Sequence, residues 1–85
     1  ITLSQNYPNP FNPNTIITFT LPQSSEINLT VFDVLGKKIS VLKTGWQNAG
    51  KHEVQFNAED LPSGTYIYRL QVGNHVLTNK MMLVK

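Results

Sequence analysis

The chain has 85 residues, 40% of them hydrophobic, a formal net charge of +2 and no cysteine. That length supports one hydrophobic core, not two, and the absence of thiols excludes a disulfide framework and a thiolate metal site, so packing and strand pairing must carry the fold. The seven cations are dispersed among five acids, which reads as a solvated surface and not as a nucleic-acid footprint.

No apolar run is long enough for a signal peptide or a membrane span, and the sequence opens at Ile1 without a methionine. The expectation is one domain over residues 1–85, cut from a longer protein, with no membrane insertion. Residues 5–14 hold three prolines and four asparagines, a composition that forbids helix and favours extended or turn backbone. This leading segment is expected to be an ordered loop or edge strand, pinned to the domain by Tyr7 and Phe11.

From Thr15 the pattern alternates, with Ile17, Phe19 and Leu21 on one face and Ile16, Thr18 and Thr20 on the other, the signature of a half-buried strand. Pro22 to Ser25 interrupts it, and Glu26 to Asp33 resumes the alternation with Ile27, Leu29 and Val31 inward and Asn28, Thr30 and Phe32 outward. Two antiparallel strands are predicted. Val34 to Lys37 reads as a tight hairpin with Gly36 at positive φ, followed by a strand over Lys38 to Lys43 that sets Ile39 and Val41 on one face.

Gly45 and Gly50 bracket Trp46 to Ala49 as a loop, and Lys51 to Asn57 alternates again with His52, Val54 and Phe56 on one side. Leu61-Pro62-Ser63-Gly64-Thr65-Tyr66 then leads into a strand with Tyr66, Tyr68, Leu70 and Val72 on one face. This Leu-x-x-Gly-x-Tyr run resembles the tyrosine corner of immunoglobulin-like and fibronectin-type sandwiches, a role assigned to Tyr66. Gly73-Asn74 is a two-residue turn that closes a hairpin with a last strand over His75 to Val84. The predicted fold is an all-β, immunoglobulin/fibronectin-III-like antiparallel sandwich of about seven strands, with helix close to nil.

Catalytic chemistry needs converging groups, and two histidines with five scattered acids do not supply them. His52, on an inward face, and His75, beside a turn, read as structural or surface histidines. Glu59-Asp60 reads as a solvated turn capped by Asp60 sooner than as a calcium site. Trp46, with Tyr7, Phe11 and Phe32, is a candidate sugar-stacking platform, against which stands Trp46 folding back over the end of the core. Asn28-Leu29-Thr30 fits the glycosylation pattern but carries meaning only in a glycosylating host. No enzyme activity, cofactor or metal is expected.

The motifs taken together carry a resemblance. Tyr7 to Thr15, Val31 to Lys37, Ala49-Gly50-Lys51-His52, Leu61 to Tyr66, and the tail from Gly73 with Lys80-Met81 and Lys85 occur in the order found in type A C-terminal sorting domains of the bacterial type IX secretion system. Phe56 stands where that family often has tryptophan, and Trp46 has no strong family counterpart. The resemblance implies a domain read by an outer-membrane translocon, removed by a sortase-like peptidase, and attached to an upstream passenger. The passenger would be exported through the periplasm of a Gram-negative bacterium and be secreted or cell-surface associated. It assigns recognition to Asp33, Gly36, Lys37, Gly64, Tyr66, Lys80 and Lys85. The competing expectation is a carbohydrate-binding or spacer module of an extracellular glycoside hydrolase, with Trp46 stacking on ligand.

Overall fold

The computed structural model describes residues 1–85 as seven strands: β1 (Thr2–Leu3), β2 (Asn14–Leu21), β3 (Ser25–Asp33), β4 (Lys38–Gln47), β5 (Gly50–Asn57), β6 (Gly64–Val72) and β7 (His75–Leu83). There is no helix, hence none long and apolar enough to cross a membrane. All pairing between these strands is antiparallel, in a three-stranded sheet ordered β1-β2-β5 and a four-stranded sheet ordered β4-β3-β6-β7. This is the expected immunoglobulin-like sandwich, with its fourth strand joined to the second sheet.

Strand alternation builds the core, because every second residue of a pleated strand points the same way. Ile17, Phe19 and Leu21 of β2 face Ile27, Leu29 and Val31 of β3 and Tyr66, Tyr68, Leu70 and Val72 of β6 across the interior, all of them buried. Met81 and Leu83 of β7 complete the layer. The predicted pair on either side of Pro22 does not pair with itself. β2 bonds to β1 and β5 while β3 bonds to β4 and β6, so Pro22–Ser24 carries the chain from one sheet to the other. Alternation fixes which face of a strand is buried; it does not name the neighbour.

β4 departs most from its predicted form. It runs to Gln47, so Gly45 and Trp46 lie within the strand and only Asn48-Ala49 link it to β5. Two register shifts interrupt its pairing: Phe32 and Val31 oppose Lys38 and Ser40, and Thr30 and Leu29 oppose Val41 and Lys43. Ile39 and Leu42 are the extra residues, and a bulge of this kind re-aims side chains. Both turn in to pack against the core, while Val41, expected beside Ile39, is exposed. Thr30, expected outside, is on the outer face but buried there, where its hydroxyl donates to the Asn28 amide oxygen.

The leading segment is held at three points. The Tyr7 backbone exchanges bonds with Ile16 at 2.9 and 3.0 Å, although its ring, expected to pin the segment, is 70% exposed. Phe11 is the apolar anchor, 2% exposed and packed on Phe56 with centroids 6.2 Å apart. Asn6 is the polar one: its N–H donates to the Tyr68 hydroxyl at 2.9 Å, and its amide donates to Thr15 Oγ1 at 3.0 Å and the Pro8 carbonyl at 3.1 Å. The Tyr68 hydroxyl in turn donates to the Ser4 carbonyl at 2.6 Å. No buried side-chain polar atom is left without a partner.

Tyr68→Phe tests this clasp, since it strands the buried Asn6 N–H at a cost of about 1–3 kcal/mol. Burial pushes the Tyr68 phenol above its ordinary value of 10.0, with the Asn79 amide and the Asn6 N–H drawing it partly back. Folding therefore favours the neutral phenol, so this stabilisation is complete below the unfolded pKa near 10 and is lost as pH rises from there through the higher folded value. Thermal melts should show the wild type losing stability above pH ~10 more steeply than Tyr68→Phe does. Parallel losses in the two proteins would contradict a buried, neutral phenol.

Candidate functional site

Register places most of the motif residues at one end of the sandwich. Asp33 at the end of β3 opposes Tyr66 near the start of β6, and Tyr66 and Gly64 oppose Met81 and Leu83 near the end of β7. The β3–β4 turn, the β5–β6 crossover, the last residues and Pro8–Asn14 therefore share one pole. Asp33, Gly36, Lys37, Gly64, Tyr66 and Lys85 lie here. Lys80 stands further along β7, on the outer face of the sheet, opposite Ile67.

The β3–β4 turn is rigid for local reasons. Its backbone closes through Asp33 N–H to the Lys37 carbonyl at 2.9 Å and Gly36 N–H to the Asp33 carbonyl at 3.1 Å. Asp33 Oδ1 accepts from the N–H groups of both Leu35 and Lys37 at 2.9 Å, an Asx-type turn that the short carboxylate makes possible. Gly36 takes φ 85°, a left-handed conformation that side chains disfavour. The turn thrusts Leu35 out of the fold, 91% exposed, with Val34 beside it. Sequence reasoning passed over this apolar tip, although two aliphatic residues between Asp33 and Gly36, where turns take polar residues, were a signal for it.

The crossover from β5 to β6 passes between the sheets and is tied by Tyr66, whose hydroxyl donates to the Pro62 carbonyl at 2.7 Å. Asn57, not Asp60, caps the bend, its Oδ1 accepting from Glu59 N–H at 2.9 Å. Glu59 and Asp60 are exposed, and no group of three His, Asp or Glu side chains gathers anywhere.

The tail and the leading segment are bonded to each other. Phe11 N–H donates to the Met82 carbonyl at 2.9 Å and Val84 N–H donates to the Phe11 carbonyl at 3.0 Å. Met82 N–H donates to Asn9 Oδ1 at 2.9 Å, and the Gln5 amide donates to the Lys80 carbonyl at 2.7 Å. Beyond Val84, Lys85 N–H donates to Ser63 Oγ at 3.0 Å and its ammonium donates to the Glu59 carbonyl. The free edge of β7 is thus covered from Lys80 to Val84. Val76 and Thr78 keep no backbone partner on that side.

Trp46 stands apart at the other pole. It is 68% exposed, so it does not fold over the core as one expectation had it. It opposes Glu26 on the wall of a groove of about 780 Å³ that runs past Ser24 and His75. The four aromatics do not form one platform: Phe11 is buried and Tyr7 projects at the motif-bearing pole, and Phe32 lies under Arg69. Ala49 to His52 also lies at the Trp46 end, where His52 stacks on Phe19 at 5.0 Å and its Nε2 bonds the Asn48 carbonyl at 2.7 Å, a structural role.

A family model described as secretion system C-terminal sorting domain matches residues 5–85. No curated protein and no solved structure matches the chain.

Proposed function

From the premise that the chain belongs to the secretion system C-terminal sorting domain family, we propose that its motif-bearing pole is the surface the export apparatus reads. The domain is a C-terminal sorting signal for type IX secretion, and it serves a passenger protein bound for the cell surface or the exterior. No observation favours a module of a glycoside hydrolase.

One observation carries the finer reading: sequence motifs separated along the chain meet at one rigid pole through the Phe11–Met82–Val84 bonds and the Asp33–Tyr66 register. A receptor needs a fixed constellation, and turns on a stiff scaffold supply one. In this reading Asp33 and Gly36 set the turn that presents Lys37, Gly64 and Tyr66 hold the crossover, and Lys80 and Lys85 mark the tail. An outer-membrane translocon binds this pole and a sortase-like peptidase then removes the non-catalytic domain. With β7's edge occupied from Lys80 to Val84 by the leading segment, recognition runs through turns and faces. Strand addition is left at most the unpaired Val76–Thr78 stretch, which β1 flanks.

A reporter fused ahead of the domain, in a host with type IX secretion, is expected outside the cell and lighter than the fusion by about the domain's 9.6 kDa. A reporter held in the periplasm would refute recognition, and one exported with the domain still attached would refute removal.

A further inference from the structure

The outer face of the four-stranded sheet is the broadest regular surface of the domain. The register sets Lys38, Phe32, Ile67 and Lys80 in one row across all four strands. The next row holds Val41, Thr30, Arg69 and Thr78. Phe32 and Ile67 are half-buried, whereas Lys38 and Lys80 are exposed. The Arg69 guanidinium lies 4.6 Å from the Phe32 ring centroid.

Neither row contains an acid. Of the five acids in the chain, Glu26 sits at the Trp46 end opposite Trp46 and Asp33 is engaged in its own turn. Glu53 belongs to the other sheet, opposite Thr18, and Glu59 and Asp60 lie on the crossover. These two rows therefore have an apolar, aromatic centre and a cationic border, and Glu26, which shares this outer face, lies beyond Asn28 at its Trp46 end. An aromatic and arginine centre inside a polar rim is the anatomy of a protein–protein interface.

We infer that this face, centred on Phe32 and Ile67 and bordered by Lys38, Arg69 and Lys80, docks an acidic protein surface of the export apparatus. The inference rests on the sorting reading and deepens it by naming the chemistry of the partner. Charge complementarity selects an acidic occupant. The spacing favours a protein over a single phosphate group: the backbones of Lys38 and Lys80 lie three strand separations apart, roughly 14 Å, a spread suited to carboxylates distributed around an apolar patch.

The test compares export of the reporter fusion carrying the wild-type domain with K38E/K80E, K38Q/K80Q and, as a control on the other sheet, K51E. The fraction outside the cell should fall at least about tenfold for the charge reversal, fall less for the neutral pair, and hold for K51E, since like charges placed across an interface repel. Melting temperatures of the purified fusions should agree within a few degrees, because the substituted side chains are exposed. That grading by sign is one a merely structural role would not produce. Unchanged export of K38E/K80E overturns the inference. So does salt-sensitive binding of the wild-type fusion to phosphatidylglycerol vesicles that K38E/K80E loses, which would assign the face to a phosphate-bearing surface. A wild-type fusion that stays inside the cell removes the sorting reading itself, a failure visible before any variant is compared.

Discussion

A passenger carrying the domain without Thr78–Lys85 should remain inside the cell. The deletion removes Met81 and Leu83 from the core, six ladder pairs with β6 from Thr78 to Leu83, and both backbone partners of Phe11. Each buried aliphatic lost costs about 2–5 kcal/mol, against about 5–15 kcal/mol for a whole domain. The truncated domain is therefore mostly unfolded, and secreted passenger should fall at least about tenfold on that ground alone. A second fusion that keeps every buried residue and changes only Lys80 and Lys85 to alanine separates recognition from folding. It should melt like the wild type and still export poorly. Full export of the truncated fusion would show that the signal does not need the chain beyond Leu77.

Phe11→Ala should be the most damaging single substitution in the leading segment. The ring is 2% exposed and fills the space beside Phe56, and its backbone bridges to the end of β7. Truncating a buried phenylalanine costs about 3–5 kcal/mol. With a urea dependence of about 1–3 kcal/mol per molar for small proteins, the midpoint should drop by more than about 1 M, and the melting temperature by about 15 °C or more. A loss under about 1 kcal/mol would mean that the segment is a detachable strap whose release leaves the sandwich intact.

How much of this could be read from residues alone depended on how local the cause was. The inward faces of β2, β3 and β6 followed from period-two alternation, and the Gly36 and Gly73 turns from chemistry confined to a few residues. At Gly73 only the first turn position takes positive φ, 57°, as a type II′ hairpin requires. The pairing of β2 with β5 was hidden because it joins segments distant in sequence. The two bulges of β4 were hidden because Ile39 and Val41 alternate perfectly well on paper, and only the count of opposing residues shows Ile39 and Leu42 to be extra.

Asn6 escaped notice since polarity argues for exposure, and nothing local announces that a tyrosine hydroxyl 62 positions away will meet its N–H. Gly45 has the composition of a loop start, yet it sits in a strand at φ 103°. At the candidate site, the motifs give residues in order along the chain, and only the register shows which of them converge. The outer-face row from Lys38 to Lys80 could not be drawn until the register across four strands was known.

Asn9 and Met82 are bonded across 73 positions of sequence, and Phe11 is clasped between Met82 and Val84. On a ribosome, the early half of that clasp waits for the late half: until Val84 has been synthesised Asn9 and Phe11 lack their partners in the last strand. Anything that inspects both halves together is thereby checking that translation ran through Val84 and that the last strand found its place, so a product cut short by a premature stop carries no valid address.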